Sequence, residues 1–195
     1  MYSKAKIGGH PVHPMLVAFP IALYTATVVS LVLCGVVEDV FWFRAAMTAN
    51  IAGVIMAAIA MVPGSIDLFS GIPRHSPARA TGLKHALAAA ISNAAFLVSA
   101  ILLAREWGAR DRTAQAWQFD LTAPLIFSVI GLCAVMVAGW MGWRLVQNHL
   151  VGVGEGDVDE LDDTELTDDE AIEAALPRIP PIPRRTEDDL RPFLR

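Results

Sequence analysis

The sequence predicts an all-α protein: an integral membrane four-helix bundle followed by a disordered acidic tail. Two observations carry that reading. Four apolar runs, each near the 20 residues needed to cross a bilayer, follow one another with polar breaks between them. The charge then changes sign along the chain. Residues 1–151 hold ten Lys/Arg and six Asp/Glu (net +4), and residues 152–195 hold five Arg and fourteen Asp/Glu (net −9), which together give the chain's −5. With 54% hydrophobic residues and a mean hydropathy of +0.47, the body is too apolar for an ordinary soluble domain. Residues 1–151 therefore form the membrane domain and residues 152–195 the tail.

The first span is expected over 15–37, uncharged and with Pro20 near its start. Before it stands Gly8-Gly9-His10-Pro11-Val12-His13-Pro14. Each of these histidines precedes a proline, which favours extended backbone. In polyproline II geometry His10 and His13 project the same way, about 9 Å apart, with Pro14 opening the helix. The length of the apolar run, Pro20 and the preceding His-Pro segment argue against a secretory signal peptide.

The second span is expected over 45–63 and the third over 83–103, the latter with Lys84 and His85 in its first turn. The fourth, over 123–145, is introduced by Thr122-Ala123-Pro124, a capping residue followed by an early proline. Trp42, Trp107, Trp117, Trp140 and Trp143 all avoid span centres, as interfacial anchors do. Small residues at four-residue spacing mark expected helix contacts: Ala49, Gly53 and Ala57; Ala86, Ala90 and Ala94; Ala134, Ala138 and Gly142. The charged connection from Ala104 to Leu121 reads as an interfacial segment. In the tail, Thr167 to Glu170 has the pattern of a capping box before a short helix over 171–176, and a proline-rich stretch follows. Cys34 and Cys133 lie inside apolar runs and match no disulfide or zinc pattern.

Four spans return both termini to one membrane face. That face collects His10, His13, His75, His85 and His149, all the histidines of the chain, together with Asp67, Arg74 and Arg79. His85 sits within an apolar helix, where an ionisable group is costly unless it faces the interior. Ser92, Ser99 and Asn93 continue its line, and Ala88 and Ala89 leave room beside its ring. Two readings of His85 stand level: a cofactor ligand, or a packed histidine hydrogen-bonded at a helix contact. His75 and His149 read as ordinary surface histidines.

At these residues the chain resembles a known family. The segments Gly9-His10-Pro11-Val12-His13-Pro14-Met15-Leu16-Val17 and Phe19-Pro20-Ile21 look like the opening of the bacterial membrane family called domain of unknown function 2231. Gly64-Ser65-Ile66-Asp67, Gly82 to His85 and Asn93 also fit its pattern, so the resemblance covers roughly residues 7–147. It implies a four-helix integral membrane domain, with no settled activity. Some relatives are joined to Rieske or c-type cytochrome modules, which hints at electron transfer. This chain carries no Cys-x-His or CxxCH pattern of its own, and its tail lies outside the family pattern.

The expected function is accordingly that of a multi-pass membrane protein binding haem b at a histidine-lined interfacial site, with His10, His13, His85 and Asp67 as candidate cofactor-binding residues. A low-spin b-type haem needs two imidazoles from opposite sides. His85 with one lip histidine suits that better than His10 with His13. Asp67 would orient an imidazole, and Arg74 or Arg79 would pair with propionates. A metal ion held by His10, His13, His85 and Asp67 is the alternative cofactor. The contrasting class is a structural or adaptor protein whose histidines are only hydrogen-bonded and whose tail holds a redox or other protein partner. No catalytic constellation is present: the chain lacks a nucleophile elbow, HExxH and paired intramembrane carboxylates. A transporter is disfavoured because no span carries a mid-membrane charge, and nucleic acid because the body lacks a concentrated basic segment. The Lys/Arg balance near span ends, six on the histidine face (Lys4, Lys6, Arg74, Arg79, Lys84, Arg144) and four on the other (Arg44, Arg105, Arg110, Arg112), favours both termini in the cytoplasm, and the family resemblance implies a bacterial inner membrane.

Overall fold

The computed structural model describes residues 3–109 and 119–152. A two-stranded antiparallel ribbon, β1 (Lys6–Ile7) and β2 (His10–Pro11), leads into four helices: α1 (Val12–Val37), α2 (Val40–Ile66), α3 (Pro77–Ala109) and α4 (Thr122–His149). The π-helical turn Asp67–Gly71 prolongs α2. All four helices are long and apolar enough to cross a membrane. The acidic tail beyond residue 152 and most of the interfacial connection, residues 110–118, lie outside the described residues.

Local signals set the ends. Asp39 accepts the Phe41 N–H at the start of α2 (2.8 Å). Ser76 accepts the Arg79 N–H (3.3 Å), and Pro77 takes the first helical position of α3. This Ser-Pro signal starts α3 six residues earlier than the apolar run suggests. In α4 the capping role expected of Thr122 falls instead to Asp120, whose Oδ1 accepts the Thr122 N–H at 3.0 Å. That bond holds the Asp120 carboxyl below its usual range.

The extended lip is the clearest departure from expectation. Helix α1 begins at Val12, so His13 and Pro14 lie in its first turn rather than on a polyproline strand. The Gly8 and Gly9 turn, both at positive φ (56° and 80°), folds the chain back. The Val12 N–H is then satisfied by Ala5 O at 3.0 Å. Pro14 costs nothing there, because its missing N–H would have had no partner in a first turn.

Helices α1 with α2, and α3 with α4, form two antiparallel hairpins, each packed most closely within itself. Polar side chains lie inside the bundle and large aliphatic ones face outward. Thr27, Asn50, Ser92, Ser99 and Ser128 are buried, while Val29, Ile51, Ile55, Leu87, Ile91, Ile126 and Val137 are exposed. An outward face of Ile, Leu and Val suits a lipid solvent, and the interior combines these polar groups with Tyr24, Leu31, Phe43, Phe96 and Leu103. Two of the three small-residue ridges carry buried positions as expected: Gly53 and Ala57 on α2, and Ala138 on α4. The ridge on α3 does not, since Ala90 and Ala94 are exposed and Ala88, Ser92, Ala95 and Ser99 take the inner face.

The two hairpins repeat one another. His13 and Tyr24 on α1 recur 72 residues later as His85 and Phe96 on α3; Gly53 and Gly64 on α2 recur 78 residues later as Gly131 and Gly142 on α4. In each hairpin the same contacts are made. The aromatic ring lies over the first glycine, where a Cβ would stand 2.8 Å from Tyr24 or 2.6 Å from Phe96. The histidine lies against the second. Odd helices run one way and even helices the other, so this is a parallel repeat, with its axis along the membrane normal.

A candidate paired-histidine site

The repeat brings equivalent side chains of α1 and α3 face to face on that axis. Tyr24 and Phe96 stack with ring centres 3.7 Å apart and planes 2° from parallel. Three helical turns nearer the terminal face, about 16 Å along the axis, the His13 and His85 rings stand 6.1 Å apart with planes at 88°.

Each imidazole is fixed in the same way. His13 Nδ1 lies 2.8 Å from Ala60 O on α2, and His85 Nδ1 lies 2.8 Å from Ala138 O on α4. A carbonyl only accepts, so Nδ1 carries a proton in both rings, and the lone pair of the neutral form sits on Nε2. The glycine one turn after each carbonyl makes room for the ring. A Cβ on Gly64 would lie 2.8 Å from His13 Nδ1 and Cε1, and one on Gly142 would lie 3.4 Å from His85 Cε1. Alanine at position 64 would therefore push His13 aside, whereas alanine at position 142 would need only a slight adjustment.

The other two candidate residues stand apart from this pair. His10 is exposed, with Nδ1 donating to Gly8 O at 2.7 Å within the ribbon turn. Asp67 does not orient an imidazole. Its Oδ1 accepts the N–H groups of Lys4 (2.7 Å) and Ala5 (3.0 Å), and its Oδ2 accepts from Ser3 Oγ (2.8 Å). It anchors the N-terminal segment to the end of α2. Through Ala5 O and the Val12 N–H, that anchor fixes the start of the helix bearing His13.

Among the described residues no group of three or more His, Cys, Asp or Glu side chains is placed to hold a metal ion. The four-residue metal shell is thus not assembled, because the ribbon carries His10 away and Asp67 is already engaged. Arg79, expected to meet an anionic group, instead donates to Leu68 O and to Ile72 O (3.3 Å) at the π-helical turn, beneath Phe69. Arg74 is exposed. His75 is exposed, and His149 lies 3.3 Å from Thr81 Oγ1 at the end of α4. Asn93 receives the Tyr24 hydroxyl at 2.7 Å, the polar bond beside the aromatic stack.

The roles of Ala60, Gly64, Ala138 and Gly142 were not evident from ridges of small residues alone. The signal that finds them is a pair of spacings, His13 to Tyr24 and His85 to Phe96 on one side, Gly53 to Gly64 and Gly131 to Gly142 on the other, each of eleven residues.

Four helices long and apolar enough to cross a membrane, with a histidine pair near one end, define a multi-pass membrane protein. More particularly, the chain belongs to the family described as predicted membrane protein, domain of unknown function 2231, whose profile matches residues 9–155. The match spans both hairpins, so the whole repeat belongs to the family domain. Comparison with curated proteins and with solved structures found no match.

Proposed function

We propose that the membrane domain is a b-type haem protein for one-electron transfer, in which His13 and His85 would hold the haem. The observation that carries this reading is the matched pair itself: two imidazoles from different hairpins, each with Nδ1–H tied to a backbone carbonyl. A histidine that binds a metal through Nε2 commonly donates its other ring N–H in this way, which sets its orientation and raises its basicity. The two rings come from different hairpins and meet directly, with centres 6.1 Å apart, so His13 and His85 together would hold the group.

The ligand count favours haem over a bare ion. Haem supplies its own four equatorial nitrogens and asks the protein for only two ligands. A bare ion would need at least a third from groups that the described residues do not bring together. When bound, the haem would supply reversible one-electron chemistry. The chain would hold the imidazoles in the lone-pair-out tautomer and keep their surroundings apolar and small. The positive-inside balance supports placing this face in the cytoplasm.

The test is haem retention by full-length protein purified from haem-replete cells. Wild type should show a Soret band, His13→Ala and His85→Ala should each lose it, and His10→Ala and His149→Ala should keep it. Wild-type protein lacking both haem and bound metal would leave the structural reading, in which the carbonyl bonds merely satisfy two packed histidines.

A further inference from the structure

Beyond the aromatic stack, every helix contributes one fully buried polar side chain to the interior: Thr27 from α1, Asn50 from α2, Ser99 from α3 and Ser128 from α4, each 0% exposed. They are two pairs of repeat equivalents, Thr27 with Ser99 and Asn50 with Ser128. Their protons can be accounted for one by one. Ser99 Oγ donates to Pro124 O at 3.0 Å, so its contact with Ser128 Oγ at 2.8 Å is one that Ser128 donates. Asn50 Nδ2 donates to Ser99 Oγ as well, at 3.1 Å. Thr27 Oγ1 donates to Leu23 O at 2.9 Å. Every hydroxyl proton is used, and Asn50 Oδ1 is left without a donor. Turning the amide over moves the deficit to Nδ2 without removing it.

The other buried side-chain atom without a partner among the described residues, Ser92 Oγ, differs in kind. Rotation about one bond returns a helical serine to the carbonyl one turn back, here Ala88 O. Asn50 Oδ1 has no such relief, because it needs a proton and helix carbonyls offer none. A bare amide oxygen in a membrane interior is costly enough to demand a partner.

We propose that a resident water molecule is bound at this layer, donating one proton to Asn50 Oδ1 and the other to a neighbouring hydroxyl oxygen. Ser128 Oγ suits the second role, since it donates to Ser99 and accepts from no described group. Water fits better than a cation because the layer holds neutral oxygens and no carboxylate to balance a charge. The site is closed on both sides along the axis. Tyr24 and Phe96, three residues before Thr27 and Ser99, are 2% and 0% exposed; Leu31 and Leu103, four residues after them, are 1% and 0% exposed. The water is therefore enclosed and forms no column through the bundle. It completes the polar contact by which Asn50 of the first hairpin meets Ser99 of the second.

Water-edited solid-state NMR of the full-length protein in lipid bilayers tests this directly. Polarisation should pass from water protons to the Asn50 side-chain amide and not to the Leu31 methyls one layer on. Asn50→Leu should remove the bound-water signal. If that variant fails to fold, the wild-type spectra decide alone. Absence of transfer to Asn50, with its carbonyl shift responding to Thr27→Val, would assign the bond to the threonine hydroxyl and overturn the proposal. A shift of the Asn50 signals when sodium replaces N-methylglucamine would also overturn it, in favour of a bound cation.

Discussion

At the scale of single residues, the bundle depends on four glycines that accept rings. Gly53 and Gly131 lie under Tyr24 and Phe96 so closely that an added methyl would require movement of an aromatic side chain 0–2% exposed. Gly53→Ala and Gly131→Ala should each destabilise the protein by about 1–3 kcal/mol, the usual range for overpacking. Gly139, on α4 with nothing within 4 Å of an added Cβ, is the control. Gly139→Ala should be neutral or stabilising by up to about 1 kcal/mol through helix propensity. Thermal unfolding of the three variants in one detergent checks the order. These contacts also show what was legible in the sequence. His13 and His85 stood out as candidates because histidines beside or within apolar helices need a reason to be there. The doubled His-Pro motif joined His10 to His13 and a shared membrane face joined Asp67 to both, and neither fixes where a side chain points. The proline rule favoured an extended His13, but the glycine turn, the Val12 bond to Ala5 and the bond to Ala60 together outweigh that local preference.

At the scale of elements, number and type were readable from hydropathy and the inward line of α3 from His85, Ser92 and Ser99, while the helix ends and the alanine ridge of α3 were not. An apolar run reports only the part of a helix that lies in lipid. The added turns at residues 77–82 come from the Ser76-Pro77 start, and the inward line runs through Ala88, Ser92, Ala95 and Ser99 rather than Ala86, Ala90 and Ala94. The π-helical turn and the ribbon meet at Asp67, which bonds three consecutive N-terminal residues. Asp67→Ala should release that segment. Amide hydrogen exchange at Lys4, Ala5 and Val12 should accelerate, while Tyr24 to Val37 of α1 keep their protection. Asp67→Asn retains one acceptor oxygen and should show a smaller acceleration. Equal exchange in both variants and wild type would mean that the ribbon is held without the carboxylate.

At the scale of the whole molecule, the duplicated hairpin explains why the site lies where it does. A two-fold axis places equivalent residues opposite one another, so one histidine per hairpin is sufficient to make a pair. The same axis joins the hairpins through the ring stack and through the bonds from Tyr24 to Asn93 and from Asn50 to Ser99. Reporter fusions at Gly152 and Arg110 test the orientation; a cytoplasmic Gly152 and an extracytoplasmic Arg110 are expected. Truncation after Val151 should leave insertion and thermal stability nearly unchanged, since the composition changes there and the family match ends at residue 155.

The measurement that bears most directly on the paired-ligand claim is low-temperature EPR of the oxidised full-length protein. A haem held by both histidines should give a low-spin signal, lost in both His13→Ala and His85→Ala. A high-spin signal, a low-spin signal that survives either substitution, or wild-type protein with no haem iron at all would contradict the assignment of His13 and His85 as the pair that holds the haem.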